Sequence, residues 1–257
     1  MIELRGLTKR FGDVPAIENV SFRIEPGEIF ALLGPNGSGK TTTLKCMVGL
    51  LKPASGQVLL DGVDPWRNSR AARRLLSYLP QRVCFHENLT GQEVLEFYCR
   101  LRKLPLGRID AVLASSGLSF NGLADRPVSQ LSGGMVQRLG IAVAALADVP
   151  VLVFDEPTIS LDPEGTLRFR QYVLSLKQQG KTIVFSSHVL ADVELLADRV
   201  AVFLGGRLVA LESVAALQRQ LAARSLEEMY LRCVNENAVA LPPAGSGGLP
   251  DQTATAG

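Results

Sequence analysis

The chain has 257 residues, 47% of them apolar, which is enough to bury the core of one large domain or two small ones. Its formal net charge is +2, from 27 basic and 25 acidic residues, and this balance argues against a general nucleic-acid or anionic-membrane binder. The four cysteines have no CxxC or Cys/His ligand spacing. We therefore expect free thiols in a reducing compartment, with no disulfide and no metal cluster.

The first residues, MIELRGLTKRFG, carry charges where a signal peptide needs an unbroken apolar run, so no secretory targeting is visible. The longest apolar stretch, IAVAALADVPVLVF, is interrupted by Asp148 and Pro150 and is too short to span a bilayer. From these two patterns we expect a soluble chain in the cytoplasm.

Strand patterns alternate with helix patterns along most of the chain. NVSFRI indicates a half-exposed strand and IFALL a buried one, and the two are joined at Pro26 and Gly27. A helical segment, TTTLKCMVGLL, follows and is expected to close at Pro53. Three more buried strands, VLVF, TIVF and VAVF, alternate with helical segments such as EGTLRFRQYVLSLKQQ. Such alternation predicts a parallel sheet covered by helices on both faces.

The pattern changes between Gln81 and about Ala147. Two segments, TGQEVLEFYCRLRK and GRIDAVLASSGL, look helical, and no buried strand separates them. We therefore predict a helical insert over about 82–147. The apolar residues of its first helix have the spacing of a core-facing stripe: Val94, Leu95, Tyr98 and Leu101.

The end of the chain has a different composition. Residues 235–257 are rich in Pro, Gly, Ala and Thr and have few groups to bury, so a disordered tail is predicted there. A C-terminal helix is expected before it, over 223–234.

A glycine-rich segment, GPNGSGKT at 34–41, lies between a buried strand and a helix, as a phosphate-binding loop requires. Its glycines let backbone N–H groups turn towards an anion. Lys40 can reach the terminal phosphates, and Thr41 can ligate Mg²⁺. The loop indicates a nucleoside triphosphate but leaves kinases, GTPases and motors open.

Two carboxylates and a histidine follow buried strands. In VLVFDEP, Asp155 can hold Mg²⁺ through water, and Glu156 can orient and polarise the attacking water. The alternative for this pair is a strand-end turn with solvated charges. His188 follows TIVFSS at the strand end where parallel sheets bind ligands, so it can contact a phosphate; the alternative is a structural histidine. His86 lies in a polar loop and is expected at the surface.

A second glycine pair occurs in QLSGGMVQRLG. Ser132 can cap the following helix, and Gly133 and Gly134 leave bare N–H groups at its positive end. The pattern predicts a second anion site that lacks a lysine, and the alternative is simple helix capping.

Taken in order, GPNGSGKTT, LPQ ending at Gln81, LSGGM, VFDEP, SLD at 160–162 and SSH at His188 resemble the nucleotide-binding subunit of an ABC transporter. The resemblance covers about 1–222. It implies an α/β fold of the P-loop NTPase (RecA-like) type, in which a mostly parallel sheet core carries an antiparallel β subdomain and an α-helical insert subdomain. It also implies ATP hydrolysis with Mg²⁺.

The resemblance explains the second glycine pair, because in that family two nucleotide domains pack head to tail. ATP on one subunit's phosphate loop is closed over by the other subunit's LSGG helix, so Ser132, Gly133 and Gly134 would contact the partner's γ-phosphate. Asp162 would link the two sites at the interface. The phosphates and Mg²⁺ would be bound by Gly34, Pro35, Asn36, Gly37, Ser38, Gly39, Lys40, Thr41 and Thr42.

The remaining roles are also implied by the resemblance. Gln81 would touch the metal and the attacking water, Glu156 would be the catalytic carboxylate, and His188 would sense the phosphate. Phe11 would stack on adenine, and its alternative is a core phenylalanine. The signature has Met135 where Gln is commoner, which removes a polar group near the ribose. Since every catalytic position is filled, a homodimer is favoured over a dimer with a degenerate sister ATPase.

A transporter of this kind needs a separate membrane permease, which would dock on the helical insert and hold the chain at the inner face of the cell membrane. SLEEMYLR at 225–232 resembles the ending of exporter ATPases, and YLPQRV with ENLTGQEVLEFY resembles ATPases of copper-enzyme and nitrous-oxide reductase maturation. Multidrug, antibiotic and lipid exporters fit almost as well. The rivals are a soluble ABC ATPase acting on ribosomes or DNA and a non-hydrolysing scaffold; no nucleic acid partner is expected.

Overall fold

The computed structural model describes residues 1–116, 122–216 and 226–238 of the chain. Within these residues the strands form one sheet of three and one sheet of six. The strands are β1 (Ile2–Phe11), β2 (Val14–Ile24), β3 (Ile29–Leu33), β4 (Ser55–Leu60), β5 (Leu76–Leu79), β6 (Val151–Asp155), β7 (Thr182–Ser187), β8 (Arg199–Leu204) and β9 (Arg207–Ser213).

The larger sheet has the order β5-β6-β7-β3-β8-β9 and is parallel except for its last strand. Its central strands read as unbroken apolar runs because both faces are covered, and every residue of β3 and β6 is buried. The smaller sheet, β2-β1-β4, is antiparallel. The predicted α/β fold with a mostly parallel core and an antiparallel subdomain is therefore confirmed.

The helices of the described residues cover both faces of the larger sheet or follow β5 in the chain. They are α1 (Lys40–Met47), α2 (Ser69–Leu75), α3 (Gly91–Leu101), α4 (Arg108–Ser116), α5 (Gly133–Leu146), α6 (Pro163–Gln178), α7 (Leu190–Leu196) and α8 (Leu226–Ala238), with a 3₁₀ turn at Val128–Gln130. Between β5 and β6 the described chain is helical, as the sequence pattern predicts. None of the helices in the described ranges is long and apolar enough to cross a membrane.

Three apolar clusters hold these elements together. Two lie on opposite faces of the large sheet, and the third joins α3, α4 and α5. α5 contributes Ile141 to one of the sheet clusters and Leu139 to the helical cluster. A helix that is apolar on two sides is buried between layers, so α5 ties the helical region to the sheet.

The predicted join at Pro26 and Gly27 carries the chain from the smaller sheet to the larger one, so β2 and β3 are not paired. Three details differ from the sequence predictions. The first helix ends at Met47 rather than at Pro53, because Gly49 adopts the left-handed conformation that stops a helix. Leu101 is 64% exposed, since it is the last residue of α3 and lies beyond the buried stripe.

The third difference lies at the end of the chain. The last described helix continues to residue 238, past the predicted boundary at 234, because no glycine or proline interrupts the chain before Pro242. Residues 223–225 of the predicted C-terminal helix and residues 239–257 of the predicted tail lie outside the described residues.

Candidate functional site

The candidate site lies at the carboxyl edge of the large sheet, where four neighbouring strands end. The phosphate-loop segment follows β3, Gln81 lies two residues after β5, Glu156 follows β6, and His188 follows β7. Parallel strands end on the same edge, so residues separated by more than a hundred positions meet there.

The glycine-rich loop wraps around the start of α1 and holds its own lysine. The Lys40 ammonium group donates hydrogen bonds to the carbonyl oxygens of Gly34 at 2.7 Å and Pro35 at 3.1 Å, and it is almost completely buried. Gly39 has φ of 105°, and a Cβ there would approach the Ile17 side chain to 2.6 Å. A residue with a side chain cannot replace this glycine without moving the smaller sheet away from the loop.

Asp155 is fully buried and accepts hydrogen bonds from three hydroxyl groups. Thr41 and Ser186 donate to its Oδ1 at 2.9 Å and 2.6 Å, and Tyr78 donates to its Oδ2 at 3.2 Å. Burial and the neighbouring Asp155 charge raise the pKa of Tyr78, so this hydroxyl remains a donor at physiological pH. The carboxylate is thus fixed in orientation next to the first turn of α1.

Glu156 lies between the lysine of the loop and the histidine. Its Oε1 is 3.3 Å from the Lys40 ammonium, and its Oε2 is 2.8 Å from Nδ1 of His188. The Glu156 backbone has φ of 47°, which a residue with a side chain adopts at a cost of about 1–2 kcal/mol. The strained backbone turns a buried carboxylate into the space above the phosphate loop.

A cavity of about 240 Å³ lies between the glycine-rich loop, Gln81 and Glu156. Gln81, Glu156 and Ala16 of the smaller sheet form part of its wall. The rest comes from the glycine-rich loop and the start of α1, namely Asn36, Gly37, Ser38, Gly39, Lys40, Thr41 and Thr42. Phe11 is not among the lining residues. Its ring is 53% exposed and lies 5.2 Å from the Lys9 ammonium, so the alternative of a core phenylalanine is wrong.

The second glycine pair begins α5 and lies elsewhere on the chain. Ser132 caps this helix by accepting a hydrogen bond from the Met135 backbone N–H at 3.3 Å. Gly134 packs against Ser160, and a Cβ on Gly134 would lie 2.8 Å from the Ser160 carbonyl oxygen. Neither glycine lines the phosphate-loop cavity. The first turn of α5 has no acidic residue, so its N-terminus keeps its positive character.

Two residues of the site were missed from the sequence. Tyr78 and Ser186 donate hydrogen bonds to Asp155, and the Ser186 hydroxyl also accepts a hydrogen bond from the Glu156 backbone N–H at 2.9 Å. Ser186 lies opposite Asp155 in the register of β6 and β7. Neither residue carries a signal in the sequence, since both roles depend on β5 and β7 lying on either side of β6.

The residues of the cavity fit a magnesium-bound nucleotide. Oγ of Ser38 is buried without a hydrogen-bond partner among the described residues, and Oε1 of Glu156 is buried with only the Lys40 ammonium beside it, at 3.3 Å. The Asp155 carboxylate and the Thr41 hydroxyl are oxygen ligands of the kind that Mg²⁺ prefers. The geometry therefore suits a phosphate chain with a hard cation.

The fold and this cavity define a P-loop nucleotide-binding protein, with a glycine-rich loop after one parallel strand and an acidic residue at the end of another. A family model described as "ABC transporter" matches residues 17–159, which is more than half of the chain. The chain belongs to the ABC transporter family, in its ATP-binding part.

Known proteins resemble the chain along most of its length. It is 40% identical over 200 residues to an uncharacterized ABC transporter ATP-binding protein of Nostoc sp., covering 76% of this chain and 59% of that protein. It is 37% identical to the Nod factor export ATP-binding protein I of Rhizobium etli, covering 81% of this chain and 67% of that protein. The chain therefore spans less than two thirds of the Nostoc relative.

A solved structure gives the same fold. It is a dimeric ATP-binding cassette in a post-hydrolysis state, bound to ADP and Pi, with a TM-score of 0.76 and 27% sequence identity. The match covers 83% of this chain and 99% of that one.

Proposed function

We propose that this chain is the ATP-binding subunit of an ABC transporter and hydrolyses ATP at composite sites between two copies packed head to tail. The proposal rests on the position of α5: its glycine-rich start has the chemistry of an anion site but does not line the phosphate-loop cavity of its own chain. A second copy would supply that helix. The dimeric cassette bound to ADP and Pi supports this arrangement.

In each site the phosphate loop would hold the β- and γ-phosphates through its backbone amides and Lys40. The lysine now contacts loop carbonyls and Glu156, so a bound phosphate would compete for the same ammonium group. Thr41, Asp155 and Gln81 would hold Mg²⁺, which supplies charge neutralisation at the phosphates when bound. Phe11, exposed at the end of β1, would stack on the adenine.

Glu156 would act on the attacking water. Its carboxylate is buried; Oε1 lies 3.3 Å from the Lys40 ammonium without accepting a hydrogen bond from the described residues, and Oε2 is held by His188, which suits a group that orients and polarises water. His188 is 42% exposed and could turn to a γ-phosphate without disturbing the core. Ser132, Gly133 and Gly134 of the second copy would close the site and stabilise the charge on the γ-phosphate, and Asp162 would lie at the dimer interface.

The permease would dock on a groove of about 480 Å³ beside the helical region. It is lined by Cys84, Phe85, His86, Leu89, Val94, Phe97 and Tyr98, and Phe97 is 53% exposed. The groove begins three residues after Gln81, so a helix of the permease bound here would be coupled to the nucleotide site. This position would hold the chain at the inner face of the membrane.

Export is the direction we propose. The likeness to a protein named for Nod factor export supports it. The resemblance of YLPQRV and ENLTGQEVLEFY to ATPases of copper-enzyme maturation suggests one subgroup of permease partners.

Substitution Glu156→Gln tests the ATPase assignment. We expect ATP hydrolysis to fall by about 10² to 10⁴ while ATP binding persists and an ATP-bound dimer accumulates, since the water-orienting charge is lost and the phosphate contacts remain. Steady-state phosphate release and size-exclusion chromatography with ATP measure both effects. Glu164→Gln, on the exposed first turn of α6, is the matched control. Normal hydrolysis by the Glu156 variant would refute its role.

A pull-down tests the permease separately. Tagged Glu156→Gln protein with ATP, captured from gently solubilised membranes, should recover a multi-span permease, and Phe97→Asp added to it should abolish the recovery. Leu167→Asp, which changes a residue that is also 53% exposed but lies on α6, is the control. Recovery of ribosomes or DNA-bound proteins without a membrane protein would leave the ATPase standing and refute transport.

A further inference from the structure

We infer that a basic groove at the edge of the large sheet binds the phosphate headgroups of anionic phospholipids. The groove has a volume of about 750 Å³ and lies where α2, the end of α3 and the segment 147–149 meet. Five of its lining residues are cationic: Arg70, Arg73, Arg74, Arg102 and Lys103. With a net charge of only +2 over the whole chain, this concentration of charge is local.

The positive charge of the groove is not neutralised by the described parts of the chain. Arg70, Arg74, Arg102 and Lys103 form no ion pair with any described residue, and Arg73 donates only to the Ser69 carbonyl and hydroxyl, both at 3.1 Å. Two neighbouring arginines, one on α3 and one in the turn before α2, do have acidic partners. Arg100 pairs with Glu96, and Arg67 pairs with Asp64. Acidic residues are thus present nearby but serve cations outside the groove.

One carboxylate lines the groove, and it is already occupied. Asp148 accepts a hydrogen bond from Lys181 at 2.6 Å and lies 3.6 Å from Arg108. The Lys181 hydrogen bond is the main cause that lowers the pKa of Asp148, with the Lys181 and Arg108 charges adding to it. The charge of Asp148 is therefore neutralised by Lys181 and Arg108, and it does little to offset the five positive charges in the groove.

Two cations of the groove, Lys103 and Arg102, carry a local cost. Lys103 has φ of 57°, a left-handed conformation in which glycine is the favoured residue after a helix. Partial burial lowers the pKa of the Arg102 guanidinium, with Tyr98 opposing the shift. Cations near the end of α3 do interact well with its dipole, but this does not require them to face the arginines of α2 across one groove.

Apolar residues beside the cations favour a lipid surface over an acidic protein segment. Leu101 lines the groove and is 64% exposed, and Trp66, four residues before Arg70, is 46% exposed. Exposed Leu and Trp mixed with Lys and Arg are typical of segments that lie in the headgroup region of a bilayer. Tyr98 lines both this groove and the proposed permease groove. The location at a membrane rests on the proposed function, but lipid binding can be measured without it.

The test is co-sedimentation of the full chain with vesicles, without nucleotide or permease. We expect binding to phosphatidylcholine vesicles that contain phosphatidylglycerol, no binding to phosphatidylcholine alone, and weaker binding as salt rises. Arg70→Gln with Arg74→Gln should weaken the binding by about 30-fold, at about 1 kcal/mol for each cation near an anionic surface. ATP hydrolysis by this double variant should match that of the wild type, which separates a failure here from a failure of the ATPase assignment.

Two further variants make the result specific. Arg5→Gln with Arg23→Gln removes the same charge from exposed positions on the smaller sheet and should change binding by less than about twofold, since charge far from the groove contributes little. Lys103→Gly removes one cation and relieves its backbone strain, so it should weaken binding about fivefold while the protein stays at least as stable.

Three outcomes would overturn the inference. Equal losses in the two double variants would mean that net charge alone drives binding. Inorganic phosphate at the same concentration as the lipid phosphate should not release the protein from vesicles. Release under these conditions would assign the groove to free phosphate. Binding of poly-glutamate, lost in Arg70→Gln with Arg74→Gln, together with no vesicle binding would assign it to an acidic protein segment.

Discussion

The chain has two glycine-rich helix starts, and they differ in almost every respect except their exposed amides. The start of α1 lies in a cavity lined by Lys40, Thr41 and Glu156, and Thr41 contacts the Asp155 carboxylate, so two carboxylates from the end of β6 lie beside it. The start of α5 has a serine cap and two glycines, and neither helix has an acid in its first turn. A helix start alone attracts an anion weakly, and only the first one is surrounded by the groups that bind metal and orient water.

The difference teaches what each helix start can do. The first can bind a nucleotide within one chain, because its partners come from the same sheet edge. The second gains a function only if another molecule brings a phosphate to it. Substitutions at the two starts should therefore separate nucleotide binding, hydrolysis and folding.

The largest effect is expected at the second helix start. Gly133→Asp should lower ATP hydrolysis by about 10³, because a carboxylate would repel the γ-phosphate that this helix end stabilises in trans. A Cβ at this position meets only Ser160 Cβ at 4.0 Å, and an acidic residue favours a helix N-terminus, so folding should be unaffected. Phosphate release and thermal unfolding measure the two effects.

The control for this variant is Gly107→Asp. Gly107 lies immediately before α4 and has no atom within 4 Å of its would-be Cβ, so the same charge is added near a helix start without a proposed role. Normal hydrolysis by Gly133→Asp, or an equal loss in Gly107→Asp, would remove the reason to regard the two helix starts as halves of one site.

At the first helix start, Thr41→Val should raise the Mg²⁺ concentration needed for half-maximal hydrolysis by about 10- to 100-fold. The substitution keeps the shape of the side chain but removes the hydroxyl that contacts Asp155. Titration of Mg²⁺ measures the shift. Nucleotide binding without metal should stay the same, and an unchanged Mg²⁺ dependence would argue against a metal at this hydroxyl.

Gly134→Ala should destabilise the fold by about 1–3 kcal/mol, because its Cβ would meet the Ser160 carbonyl oxygen at 2.8 Å and the backbone must shift. Denaturant unfolding without nucleotide gives the free energy. Gly133→Ala is the matched control and should be as stable as the wild type. Equal stability of the two variants would show that α5 does not pack tightly on this loop.

The smallest effect is expected for Tyr78→Phe, which removes one of three donors to Asp155 and should cost about 1 kcal/mol of unfolding free energy. The raised pKa of Tyr78 adds a pH dependence. Above pH about 10 the unfolded chain loses the Tyr78 proton and the folded chain keeps it, so the wild type loses more stability there than the variant does. The difference in unfolding free energy between the wild type and the variant should therefore become smaller as pH rises. A difference that stays constant would contradict the assignment of Tyr78 as a buried donor.

Much of the fold and the core of the site could be predicted from sequence because they depend on local patterns. The buried strands read as apolar runs, and the loop with Lys40 and Thr41 is contiguous. The contacts of Asp155 with Tyr78 and Ser186 could not be predicted, since they depend on strand order. The basic groove was missed for the same reason: Arg70 and Lys103 are far apart in the chain and meet only through packing.

Mixing two inactive variants tests the composite site most directly. Glu156→Gln cannot activate water, and Gly133→Asp cannot close over the partner's phosphate, so each should be inactive alone. In a mixed dimer, one site combines an intact phosphate loop and Glu156 from one chain with an intact α5 start from the other. An equal mixture should recover about a quarter of wild-type hydrolysis, since half of the dimers are mixed and each has one intact site. No recovery at any ratio would contradict the account.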